Sequence, residues 1–176
     1  GVQTCALPIF ITRADSERDV AAVRSRLQAV LTDCPVQAEV IFRPDEAVSV
    51  QTGARHAADW CVGRKAWLVS GIGNSESFRR LAMANGVQVL GETAFSDHYA
   101  YRREDLDRIR TQVARSNAEM VLTTEKDAGK LAPLLRPDES WWALRLRADV
   151  RRGQDALHRL ICGFSAGPKK HGDGRA

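Results

Sequence analysis

The chain has 176 residues, of which 44% are hydrophobic and 27% are charged, and its formal net charge is +4. This length suits one ordinary domain or slightly more, and the hydrophobic share excludes a wholly disordered chain. No apolar run approaches the roughly 18 residues that a membrane-spanning helix requires. The basic residues are interspersed with acidic ones and accompany no nucleic-acid-binding motif, so we expect no nucleic-acid partner.

Residues 1–9 read GVQTCALPI, which matches the translation of a sequencing-library adapter at every position. We therefore interpret this segment as an adapter artefact and expect the natural sequence to begin near Phe10, inside an open reading frame. On this interpretation the N-terminal part of the protein is missing.

Hydrophobic periodicity and capping residues predict strands that alternate with helices along the rest of the chain. The residues 43–45, which read Arg-Pro-Asp, are typical of a turn between two short strands. The alternation predicts an α/β fold in three layers, a mostly parallel sheet with helices on both faces. Strands are predicted at residues 10–13, 38–42, 47–51, 66–70, 87–90, 120–123 and 141–150, and helices at about 16–31, 75–85, 104–116, 125–134 and 153–164.

Three loops at the predicted carboxyl ends of strands carry the residues of chemical interest, because ligands of parallel sheets bind at that edge. The first loop holds Gly71, Gly73 and Asn74, which could present backbone N–H groups to an anion or could simply form a tight turn. Glu76 stands where the dinucleotide-binding fingerprint requires a third glycine. A phosphate-binding loop of the form GxxxxGK followed by Ser or Thr is absent from the sequence.

The second loop holds Asp97 and His98, in which a carboxylate could orient an imidazole for proton transfer. A hydrogen-bonded loop histidine is the alternative. Four scattered cysteines form no CxxC pair, so we predict no metal site in this chain.

The third loop holds Thr124, Glu125, Lys126 and Asp127. Thr124 followed three residues later by Asp127 indicates a helix cap. The hydroxyl and carboxylate groups could also meet a substrate, a metal or another domain.

The order and spacing of these segments resemble the tetraacyldisaccharide 4′-kinases of lipid A synthesis. LVSGIGNSESF at residues 68–78 is similar to that family's GIGNPxxF, and FSDHYAY at residues 95–101 is similar to its FPDHHxY or FPDHHxF. VLTTEKDA at residues 121–128 closely matches its VxTTEKDA. Ser75 and Ser96 depart from the family pattern, which has proline there, and Tyr99 replaces a second histidine.

The resemblance implies an enzyme that transfers the γ-phosphoryl group of ATP to the 4′-hydroxyl of a lipid-linked glucosamine disaccharide 1-phosphate, at the cytoplasmic face of the bacterial inner membrane. It implies that His98 is the partner of a catalytic base, with Asp97 beside it. Gly71, Gly73 and Asn74, together with the third loop, would shape the cleft. ATP and Mg²⁺ would be held mainly by the missing N-terminal half, which would also contact the membrane, so this fragment alone would be inactive.

The resemblance also implies a division of the chain. We expect residues 10–60 to be the remnant of an N-terminal domain and its linker, residues 61–165 to be a C-terminal α/β domain, and residues 166–176 to be a flexible tail. Two alternatives stay open from the residues alone: a Rossmann-like nucleotide-binding enzyme and a non-catalytic α/β binding module.

Overall fold

The computed structural model describes residues 9–12, 17–30 and 37–165. The adapter interpretation concerns residues 1–9, of which only Ile9 is among the described residues. The predicted flexible tail, residues 166–176, lies entirely outside them. The packing divides the chain into two units, one of residues 1–42 and 148–176 and one of residues 43–147. The domain boundaries expected near residues 60 and 165 stay predictions.

The first unit contains a parallel pair of strands with two helices. Its elements are β1 (Ile9–Thr12), α1 (Glu17–Val30), the first part of β2 (Gln37–Ser49), the end of β7 (Trp141–Arg152) and α5 (Gln154–Ser165). β1 pairs with β2 in parallel register. Ile11, Val20 and Ile41 form its small core. The apolar residues of α1 are only partly buried, since Val30 is 81% exposed.

The second unit contains the remaining elements. They are β3 (Arg55–Ala57), a 3₁₀ turn (Ala58–Cys61), β4 (Lys65–Ser70), α2 (Ser75–Ala84), β5 (Gln88–Ala94), α3 (Arg103–Ser116), β6 (Met120–Thr124), α4 (Glu125–Leu131), a second 3₁₀ turn (Ala132–Leu134) and most of β7. Thr124 caps α4 as predicted, because its side chain accepts a hydrogen bond from the backbone N–H of Asp127.

Four strands of this unit are parallel neighbours in the order β5-β4-β6-β7. Ala66 of β4 lies beside Val89 of β5 on one side and Met120 of β6 on the other. The prediction that these three segments share one parallel sheet is therefore confirmed.

Helices cover both faces of this sheet, because successive residues of a strand point to opposite sides. One face buries Leu68 and Leu122 against α2, with the helix residues Phe78 and Ala82. The other face buries Val69 and Val121 against α3 and α4, with the helix residues Leu106, Ile109 and Leu131. The predicted three-layer α/β architecture is thus confirmed.

The predicted turn at residues 43–45 is wrong, since these residues lie inside the continuous strand β2. Proline fixes φ at a value that extended backbone accommodates. Two carboxylates here pair with arginines of the neighbouring strand β7: Asp45 with Arg147, and Glu46 with Arg145. β2 and β7 are also hydrogen-bonded neighbours in the sheet, and this pairing of distant strands, which the local sequence does not reveal, favours the extended form.

Candidate functional site

The three motif loops lie at one edge of the sheet, because each follows a parallel strand. Gly71 N donates to Asp127 Oδ2 at 2.9 Å, which joins the first loop to the third. Lys126 Nζ donates to Asp97 Oδ1 at 2.7 Å, which joins the third loop to the second. The structure therefore brings together the residues that the sequence placed at the ends of three different strands.

Asp127 is fully buried and forms the centre of this arrangement. Its Oδ2 accepts from Gly71 N and, at 2.6 Å, from the hydroxyl of Thr124. The carboxylate therefore binds the turn after β4 to the first turn of α4. The sequence left open whether the glycine turn receives an anion or is only a tight turn; at Gly71 the backbone N–H group meets a carboxylate of this chain.

Tyr101, the last residue of the second motif, is part of the same buried cluster and was not singled out from the sequence. A Cβ atom on Gly71 would lie 2.8 Å from the Tyr101 hydroxyl and 3.1 Å from Asp127 Oδ1. Burial, and then the neighbouring Asp127, raise the pKa of the Tyr101 phenol. The phenol therefore stays neutral at physiological pH. The family motif, which ends in an aromatic residue, was the one signal that could have identified it.

Tyr99, which replaces the second histidine of the family motif, has a packing role. Its ring contacts Phe95 and Tyr101, with centroids 4.5 and 5.5 Å away. Its hydroxyl donates to Asp105 Oδ2 at 3.1 Å. Tyr99 therefore helps to hold the second loop against α3.

Asp97 and His98 are the accessible part of the site. The His98 side chain is 78% exposed, and its Nε2 atom lies 3.7 Å from Asp97 Oδ2. His98 adopts a left-handed backbone conformation with φ of 59°, which is uncommon for a residue other than glycine. The hydrogen bond from Lys126 keeps the pKa of Asp97 below its usual value, so this carboxylate is ionised at neutral pH. The arrangement can orient an imidazole toward a group outside the chain.

Two other predicted site residues have different partners. Asn74 caps α2, since its Oδ1 accepts from the backbone N–H of Ser77 at 2.9 Å. Glu125 pairs with Arg145 Nε at 3.0 Å instead of with the second loop. Gly73 lies beside the pair of Asp97 and His98, called the dyad below, because a Cβ atom on Gly73 would be 3.8 Å from Asp97 Oδ2.

An open cleft of about 490 Å³ lies beside Glu125, and the sequence did not indicate it. Its walls include small and apolar residues of β2, α4 and β7, and its rim carries Arg55 and Arg145. Both arginines pair with Glu46, and Arg145 also pairs with Glu125, so two carboxylates balance the charges of the two arginines.

The described residues contain no group of three or more His, Cys, Asp or Glu side chains arranged to hold a metal ion. Within the same residues, no helix is both long and apolar enough to span a membrane.

Comparison with known proteins identifies the family. The model of the family described as tetraacyldisaccharide-1-P 4′-kinase matches residues 8–164. A tetraacyldisaccharide 4′-kinase of Anaeromyxobacter sp. (strain Fw109-5) is 30% identical over 149 residues, which are 85% of this chain and 40% of that protein. One of Bdellovibrio bacteriovorus is 27% identical over 143 residues, which are 80% of this chain and 42% of that protein. The chain thus spans about two fifths of the length of these relatives.

One solved structure shares the fold. It is described as the "apo" form of LpxK from Aquifex aeolicus in complex with ATP, and it matches 89% of this chain and 51% of its own with a TM-score of 0.53 and 20% identity. This likeness shows that the two chains share an α/β fold. The chain belongs to the tetraacyldisaccharide-1-P 4′-kinase family.

Proposed function

We propose that this chain is part of an ATP-dependent kinase that phosphorylates the 4′-hydroxyl of a tetraacyl glucosamine disaccharide 1-phosphate. The observation that carries the proposal is the convergence of three family motifs at one sheet edge, where Lys126 of the third motif binds Asp97 of the second. The family match over residues 8–164 supports it.

In the proposed reaction, the 4′-oxygen forms a bond to the γ-phosphorus of ATP while the bond between that phosphorus and the β–γ bridging oxygen breaks, releasing ADP. The hydroxyl proton passes to a base. His98, exposed at the edge and facing Asp97, is the partner that holds or orients this base. Phosphoryl transfer depends mainly on positioning and on electrostatic stabilisation, so the triphosphate must be held firmly.

We infer that the triphosphate and Mg²⁺ are held by parts of a longer protein. The sequence contains no GxxxxGK motif, and the described residues offer no metal-ligand cluster. We therefore expect the chain alone to show no measurable turnover. Because the proposed substrate is a membrane lipid, we further propose that the complete enzyme works at the cytoplasmic face of the bacterial inner membrane.

A kinase assay with the lipid disaccharide and ATP tests this function. The 176-residue chain should be inactive, and a version rebuilt with an upstream P-loop half should be active. In that longer version, His98→Ala should lower kcat by about 10²-fold or more. His158→Ala, which removes a histidine on α5, is the matched control and should leave kcat unchanged. Turnover by the chain alone, or full activity of His98→Ala, would contradict the proposal.

A further inference from the structure

Lys126 links two motifs that are 29 residues apart in the chain. It lies in the first turn of α4, and its ammonium group reaches Asp97 in the loop after β5. Both side chains are about half-exposed, at 43% and 46%. Exposed ion pairs contribute little to the free energy of unfolding. The effect of this contact that concerns the site is therefore the geometry that it imposes on Asp97.

The contact divides the two oxygens of the Asp97 carboxylate between different neighbours. Oδ1 accepts from Lys126 Nζ at 2.7 Å and from the backbone N–H of His98 at 3.0 Å. Oδ2 lies 3.7 Å from the Nε2 atom of His98. With Oδ1 occupied by two donors, the plane of the carboxylate is set and Oδ2 is the oxygen left to face the imidazole.

The helix that carries Lys126 is firmly anchored, whereas the loop that carries Asp97 is exposed. Thr124 caps α4. Asp127, the residue after Lys126, is buried and accepts a hydrogen bond from the backbone N–H of Gly71. Within the described residues, the titratable groups facing Asp97 are Lys126 from α4 and His98 from its own loop. Lys130, one turn further along α4, contacts Asp127 and the Tyr99 carbonyl instead.

We propose that Lys126 is a positioning residue, which holds the Asp97 carboxylate so that its Oδ2 faces His98. The inference rests on the proposed function, in which His98 assists the base that deprotonates the sugar hydroxyl. In this role, Lys126 of the TTEKDA motif orients Asp97 relative to His98 in the preceding motif.

The first test uses the 176-residue chain itself and follows the Asp97 side chain by NMR. In Lys126→Met, which keeps an unbranched side chain without the charge, the pKa of Asp97 should rise toward its ordinary value because its main hydrogen-bond donor is lost. The Asp97 side chain should also average between rotamers. Lys126→Arg should restore both properties, and Lys130→Met should leave both as in the parent chain. An Asp97 that keeps its lowered pKa and a single rotamer in Lys126→Met would overturn the proposal.

The second test separates this inference from the proposed function. In the longer, active version, Lys126→Met should lower kcat by about tenfold, with KM changed less than about twofold, and Lys126→Arg should recover most of the loss. If His98→Ala loses activity while Lys126→Met retains it fully, the positioning role is wrong and the proposed function stands. If neither variant changes kcat, the role of the dyad in the proposed function fails as well.

Discussion

The backbone N–H of Gly71 and the buried carboxylate of Asp127 are joined by a hydrogen bond of 2.9 Å. This bond connects the end of β4 to the beginning of α4, although the two residues are 56 positions apart. It places the glycine turn of the first motif against the helix that carries Lys126. Adjacent residues of one motif thus make two different contacts: Asp127 makes the buried contact with Gly71, and Lys126 makes the exposed contact with Asp97.

Replacement of Asp127 by alanine should destabilise the fold strongly. It would leave the N–H of Gly71 without its acceptor and remove the partner of the Thr124 hydroxyl, both in buried surroundings. We expect the free energy of unfolding to fall by about 2–4 kcal/mol, measured by urea denaturation. Asp107→Ala removes an acidic side chain that is 62% exposed, and it should cost less than about 1 kcal/mol. Equal losses in the two variants would contradict the central role of Asp127.

Substitution of Gly71 by alanine should destabilise the chain for lack of space. The new Cβ atom would lie 2.8 Å from the Tyr101 hydroxyl, so the aromatic side chain would have to move. We expect a loss of about 1–3 kcal/mol in the free energy of unfolding.

A double-mutant cycle tests the cause of that loss. Tyr101→Phe removes the hydroxyl that the methyl group would meet, so the cost of Gly71→Ala should be smaller in the Tyr101→Phe background. Gly129→Ala is the matched control, because a Cβ atom there meets nothing within 4 Å and helix propensity favours alanine. Additive effects of the Gly71 and Tyr101 substitutions would rule out the steric explanation.

Stability should decrease at alkaline pH because of Tyr101. The folded state raises the pKa of this phenol above the usual value of 10.0, so the unfolded chain releases the proton first. The stabilisation that the Tyr101 phenol gives to the folded state is complete at pH values below its usual pKa. It is lost as the pH rises toward the pKa of the folded state. The free energy of unfolding should therefore fall by up to about 1.4 kcal/mol per pH unit above about pH 10 from this residue. Denaturant titrations at a series of pH values should show that the free energy of unfolding falls less steeply with pH in Tyr101→Phe than in the parent chain. The same pH dependence in both proteins would refute the assignment.

Gly91 of β5 should not tolerate alanine. A Cβ atom at this position would overlap the six-membered ring of Trp67 on the neighbouring strand β4. The indole cannot move freely, because its Nε1–H donates to Thr93 Oγ1 at 2.9 Å. We expect Gly91→Ala to lower the free energy of unfolding by about 1–3 kcal/mol, detected by thermal denaturation with circular dichroism. An unchanged melting temperature would show that Trp67 can be displaced without cost.

Patterns within short segments predicted most of the elements of the second unit. The apolar runs of β4 and β6 and the Thr124 cap depend on residues only a few positions apart, so the sequence by itself was sufficient to place them. The parallel arrangement followed from the alternation of strands and helices. The motifs that resemble a known family then indicated which loops carry the chemistry.

The tertiary structure alone decided which partner each motif residue meets. Glu125, Lys126 and Asp127 are consecutive, but successive residues of a helix are rotated by about 100°. They therefore reach three different surroundings: Arg145 of β7, Asp97 of the second loop, and the buried turn at Gly71. Residues 43–45 likewise form part of a strand because β2 is a hydrogen-bonded neighbour of β7 in the sheet. Contacts between residues tens of positions apart depend on which strands become neighbours, and no local pattern of the sequence contains that information.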